Sequence, residues 1–162
     1  MTDTPEHRLE TLGLSLPKPF QLPAGRVVPL SFIRIVGQDV YLSGHGALNP
    51  DGSVAEPLGQ VGGAVSLEQG VEAARLTALA MLRTLKDELG DLSRIDQWVR
   101  VFGMVNAAPG FAGHTPVING FSQLICDVFG HDCGAAARSA VGMSSLPMNM
   151  PVEVEAQIRL KS

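Results

Sequence analysis

From Val152 to Leu160 the chain alternates without a break, with Val152, Val154, Ala156, Ile158 and Leu160 on one side and Glu153, Glu155, Gln157 and Arg159 on the other. A period of two sustained over such a run is a β-strand with one buried and one polar face. A sheet built on it is covered on one face only, so the rest of the chain has to supply that cover. Two segments can. Ser66 and Gln69 form a capping box, and Val71, Ala74, Ala78, Leu82, Leu85 and Leu89 follow at helical spacing until Gly90. Thr115-Pro116 opens a second helix, with Ile118, Phe121, Ile125 and Val128 in one stripe and Gly130 as its stop.

The remaining segments read as strands and turns. Phe32–Val36 and Val40–Ser43 flank Gly37-Gln38-Asp39 as a hairpin, and Asn49-Pro50-Asp51-Gly52 is a turn. Asp96–Val105 is a further strand, and Arg138–Val141 a short one. Paired strands, helix, strand, helix and paired strands predict an α+β fold with a mixed sheet and both helices on one face. Thr4-Pro5-Glu6 starts a short helix that Gly13 ends, and Pro17, Pro19 and Pro23 keep Leu14–Gly25 extended and outside the sheet. Residues 1–26 therefore read as an N-terminal extension and residues 27–162 as one domain, a size that 45% apolar residues can fill with a single core.

Composition narrows the function. Twelve Lys and Arg are scattered through a chain of net charge −4, which leaves no basic track for a nucleic-acid backbone. No apolar run approaches the roughly 20 residues of a membrane span, and none resembles a signal peptide. Cys126 and Cys133 lack metal-finger spacing, as do His45, His114 and His131. The expectation is a soluble, cytoplasmic chain with reduced thiols and no cofactor or metal, binding neither nucleic acid nor membrane. Its charged fraction of 17% also suits a subunit that hides surface in an oligomer. Gly59–Gly63 lacks the lysine of a phosphate loop, and neither Ser43 nor Ser139 sits in a nucleophile elbow.

Ala137-Arg138-Ser139-Ala140-Val141, then Leu146-Pro147, then Val152-Glu153-Val154-Glu155-Ala156 resembles the closing signature of the reactive-intermediate deaminase (YjgF-like) family. Tyr41-Leu42-Ser43-Gly44 resembles its second-strand serine-glycine pair, and Val117-Ile118-Asn119-Gly120 the start of its second long helix. The resemblance implies a chorismate-mutase-like subunit, a homotrimer with clefts between subunits, and cofactor-free hydrolysis of enamines and imines to keto acids and ammonia. It implies that Arg138 clamps the carboxylate of a small metabolite and that Glu153 holds the attacking water. Ser43, Gly44 and Ala140 would add polar contacts, and Asn119 would lie near the pocket.

Both leading roles make physical sense. A guanidinium is a planar fork for a carboxylate, and a half-desolvated carboxyl group can order water and pass protons. His45, directly after the serine-glycine pair, is a further candidate acid or base, or a turn cap. Two positions depart from the family pattern: Leu30 falls where a tyrosine is expected and Ala140 where a cysteine is. They motivate an alternative, a trimer that binds keto acids without turnover. A third reading, RNA cleavage, is opposed by the acidic balance. Without the resemblance, Arg138 reads as an ion-pair partner at an interface, with Glu153 one candidate partner, and Glu155 as a solvated strand residue.

Overall fold

The computed structural model describes residues 3–22, 24 and 26–162; Pro23 and Gly25, the end of the proline-rich arm, lie outside the described residues. In chain order the elements are α1 (Pro5–Thr11), β1 (Ile33–Val36), β2 (Asp39–Gly46), α2 (Leu67–Leu89), β3 (Ile95–Asn106), α3 (His114–Phe129), α4 (His131–Gly134), β4 (Ala137–Met143) and β5 (Val152–Leu160). The strands form one mixed sheet in the order β1-β2-β5-β3-β4. Only β3 and β4 run parallel, joined through α3 as a parallel crossover requires.

The α2 capping box forms as expected, with Ser66 Oγ accepting from the Gln69 backbone and the Gln69 side chain accepting from the Ser66 backbone. Helix α2 lies against β2 and β5, while α3 lies against β3 and β4. Between helices and sheet sits the core, in which Trp98 packs edge-on against Phe121 at 5.9 Å. The alternating set of β5 from Val152 to Leu160 is buried there, and Glu155, Gln157 and Arg159 are exposed on the opposite face. Two helices on one sheet face is thus the arrangement found.

One pairing differs from the expectation. The last two strands do not pair with each other, because β5 inserts between β2 and β3 while β4 takes the edge beyond β3. The strand with the longest clean alternation can bury a full row of side chains under both helices, so it takes the centre. The short strand, rich in small residues, takes the edge.

Helix α1 is held to the body. Leu9 is buried, Arg8 donates to the Val128 carbonyl, and the Glu6 carboxylate accepts from Lys86 Nζ at 2.7 Å and the Leu92 backbone at 2.8 Å. Thr4 caps it, as expected, and residues 14–22 then run on without helix or strand.

Candidate functional site

Strand β1 covers β2 only as far as the pair Ile33 and Leu42. Beyond that point β2 carries a bulge between Leu42 and His45, and its edge faces a cavity of about 440 Å³. One wall is a flank of α2, formed by Ala80, Arg83, Thr84, Asp87 and Glu88. Another is the turn Pro147–Asn149 with Met150, and Phe20 and Leu22 of the arm, with Val28 and Leu30 from the segment before β1, close the third side.

Glu153 enters this cavity from the polar face of β5. Its carboxylate lies across Gly44: a Cβ built on Gly44 would sit 1.8 Å from Glu153 Oε1 and 2.8 Å from its Cδ. Glycine at this position is what lets the acid cross the strand. Partial burial, and secondarily the neighbouring Glu155, push the Glu153 pKa above its ordinary value of 4.5. The group is therefore easier to protonate than a surface carboxylate, which suits proton transfer.

His45 stands on the helix side of the same edge and is buried. Its Nδ1 lies 2.7 Å from the Ser43 carbonyl, which can only accept, so Nδ1 carries the hydrogen. Nε2 is then the lone-pair nitrogen and accepts from the Thr84 hydroxyl at 2.9 Å. Burial lowers the His45 pKa, partly opposed by the Ser43 contact, so the ring is neutral at pH 7. With both nitrogens engaged, His45 fastens the edge of β2 to α2.

The other expected residues lie elsewhere on the chain. Ser43 borders the site, but its hydroxyl donates to the Ser31 carbonyl at 2.7 Å and faces a separate hollow with Arg34, Arg100 and Glu155. Asn119 is exposed on α3, in a surface groove with Leu12, Leu14 and Arg75. Arg138 and Ala140 belong to β4. Arg138 pairs in register with Val101, which pairs with Ala156, so it stands two strands across and three residues along from Glu153. At ordinary sheet spacings that separates their Cα atoms by roughly 14 Å. The side chains also diverge, Arg138 Nη1 donating to Ser122 Oγ at 3.0 Å on the helix side. Within one chain, Gly44, His45 and Glu153 come together, whereas Arg138, Ala140 and Asn119 do not join them.

Nothing in the sequence marks Thr84, Phe20 or Leu22 as residues of the site. The α2 flank is nonetheless written in the sequence, since Ala80, Arg83, Thr84, Asp87 and Glu88 recur at helical spacing beside the main apolar stripe. Arg83 and Asp87 form a bidentate pair in which Nε donates at 2.9 Å, which occupies the cavity's cation with an acid of its own helix. Leu30, in the place expected for a tyrosine, does line the cavity.

Residues 6–156 match the YjgF/chorismate mutase-like family. Protein TCP17 of Trypanosoma cruzi is 35% identical over 156 residues, covering 95% of this chain and 92% of that protein. The crystal structure of Atu1372 from Agrobacterium tumefaciens, a protein of unknown function, superposes with a TM-score of 0.85 at 36% identity, covering 99% of this chain and 94% of that one. The YjgF gene product of E. coli shares the fold at a TM-score of 0.58 and 18% identity, with 90% of this chain and 97% of that one covered. With residues 6–156 matched by the family and a relative 35% identical over nearly the whole length, the chain belongs to the YjgF/chorismate mutase-like family.

Proposed function

We propose that the chain hydrolyses small reactive enamine or imine carboxylates to keto acids and ammonia, at a site completed by Arg138 of a neighbouring copy in a homotrimer. The observation that carries this reading is Glu153, a half-buried acid of raised pKa laid across Gly44 at the edge of a cavity. An enamine first tautomerises to its imine, losing a proton from nitrogen and gaining one at the β-carbon, and water held by Glu153 then adds its oxygen to the imine carbon. Both water protons pass to nitrogen, which leaves as ammonia with the electron pair of the broken C–N bond, and the carbonyl remains. Glu153 relays one of these protons. Arg138 would hold the substrate carboxylate through charge-assisted hydrogen bonds, each contributing about 1.5–3 kcal/mol.

The separation of Arg138 from Glu153 within one chain supports a site shared between copies. Arg138 sits half-buried on an edge strand, and among the described residues it has no carboxylate partner. The test is keto acid release from 2-aminoacrylate and 2-iminobutanoate generated by an amino-acid dehydratase. Arg138→Ala and Glu153→Gln should each lose activity, and equal rates for wild type and both variants would end the proposal. In trimers assembled from equal parts of the two variants, about a quarter of the sites would pair an intact arginine with an intact acid. Activity should return to that level, and a mixture as inactive as its parents would refute the shared site.

The apolar cavity and Ala140 favour a second reading, a trimer that binds keto acids without turnover. It predicts stabilisation by keto acids in a thermal shift experiment and no ammonia release from any imine.

A further inference from the structure

The cavity beside Glu153 has more apolar wall than 2-aminoacrylate needs. Its volume of about 440 Å³ falls inside the range of small-molecule pockets, roughly 300–1,000 Å³. The wall is built from separate parts of the chain: Phe20 from the arm, Leu30 from the segment before β1, Leu48 and Val54 from the segment after β2, and Met148 and Met150 from the turn before β5. Phe20 meets Phe32 edge-on at 6.1 Å, and Phe32 meets His45 at 5.7 Å, so a run of rings joins the arm to the strand edge at Gly44.

A second observation concerns the mouth. Met148 and Asn149 both have φ of 56°, a left-handed conformation that residues other than glycine adopt rarely. The turn is held in place: Asn106 Nδ2 donates to Asn149 Oδ1 and to the Met150 carbonyl, both at 3.2 Å, and Gly59 N–H donates to the Asn149 carbonyl at 2.8 Å. Asn106 is buried. The strained turn thus keeps Met148, 47% exposed, at the cavity rim. Methionine is flexible and polarizable, and accommodates aromatic and branched groups alike.

We propose that this cavity receives the side chain of a 2-imino or 2-keto acid, and that the chain selects acids with a bulky apolar side chain over those with a methyl group. The turnover part rests on the deaminase reading above; the binding part does not. The carboxylate and imine lie at the Glu153 end, and the apolar body extends under Phe20 and Leu30 toward Met148.

The experiment uses the full chain with imino acids made in place from phenylalanine, leucine or alanine by an L-amino-acid oxidase with catalase. In parallel, calorimetry measures the binding of phenylpyruvate and pyruvate. Since one methylene in an apolar pocket changes kcat/KM by about 10-fold or more, the phenylalanine and leucine imines should exceed the alanine imine by at least about tenfold. Ala80→Leu, which narrows the cavity from α2, should lower that ratio. Leu30→Ala, at a half-exposed position that does not endanger folding, should lower it by opening the roof. Turnover of all three imines at equal kcat/KM would overturn the selectivity and leave the deaminase reading standing. No turnover of any imine, with phenylpyruvate bound at least tenfold more tightly than pyruvate, would overturn the deaminase reading and keep the pocket assignment. Equal binding of the two keto acids would overturn the pocket assignment.

Discussion

Adding one methyl group at Gly44 should separate function from stability. The new Cβ of Gly44→Ala would lie 1.8 Å from Glu153 Oε1, and the nearest comfortable contact is about 3.4 Å, so the carboxylate must retreat by roughly 1.6 Å. What retreats is the end of a flexible side chain, not backbone, and Gly44 has no positive φ, so alanine meets no backbone strain there. Replacing glycine at a compatible position gains about 0.4–1 kcal/mol through the unfolded chain, which offsets the displaced rotamer. The net change in stability should stay within about 1 kcal/mol, or a few degrees in Tm. A catalytic group moved by an ångström or more loses about 100-fold in rate, equivalent to about 2.7 kcal/mol. Thermal unfolding and keto acid release on the same sample measure both quantities. Gly63→Ala is the control, since its nearest neighbours would be at 3.4 and 3.6 Å; it should leave the rate unchanged and gain only the unfolded-chain increment of about 0.4–1 kcal/mol. A Gly44→Ala protein with kcat/KM within about threefold of wild type would refute the role given to the crossing carboxylate. A loss of more than about 2 kcal/mol of stability would refute the steric argument.

Other perturbations test the neighbouring contacts. Because the folded pKa of Glu153 is the raised one, the unfolded chain ionises first, and stability is lost as pH climbs from about 4.5 through the folded value. Glu153→Gln removes that loss, so its Tm advantage over wild type should grow from about pH 4 to pH 7; a constant offset would contradict the sign. Thr84→Val leaves His45 Nε2 without a donor and should cost about 1–3 kcal/mol in urea denaturation, whereas a change below about 0.5 kcal/mol would argue against that bond. Gly103→Ala drives a methyl group to 2.6 Å from Ile118 and should cost about 1–3 kcal/mol. Adding Ile118→Val should recover part of this, and strict additivity of the two changes would show that they do not touch.

The elements were legible because their signals are local. Capping at Ser66, the stops at Gly90 and Gly130 and the alternation of Val152–Leu160 each depend on residues a few positions apart, and each element formed with bounds close to those expected. Strand order was not legible in the same way. Nothing near β4 or β5 in sequence says that β3 separates them, because that is settled by which strand can be buried along its whole length under both helices. The site shows the same division. Sequence motifs mark Gly44, His45 and Glu153 as candidates, but the reason they belong together is a bulge in β2 and the early end of β1. A lone threonine in a helix carries no mark of what it faces, so Thr84 is not legible as a site residue.

The placement of Arg138 bears on how far one chain can be the functional unit. Its backbone lies on the far side of β3 from Glu153, and its guanidinium is already turned toward Ser122 under α3. No rotamer change carries it through the packed sheet, so a mechanism that uses both groups needs a second copy presenting its β4 edge to the cavity of the first. The cavity itself holds one guanidinium, Arg83, and that is committed to Asp87. An anionic ligand entering a lone subunit would therefore meet the Glu153 carboxyl group, a neutral imidazole and a neutralised arginine. Carboxylate affinity on the deaminase reading should accordingly follow assembly: dilution into monomers should abolish keto acid binding, while Arg83→Gln in the assembled protein should leave the cation that matters in place.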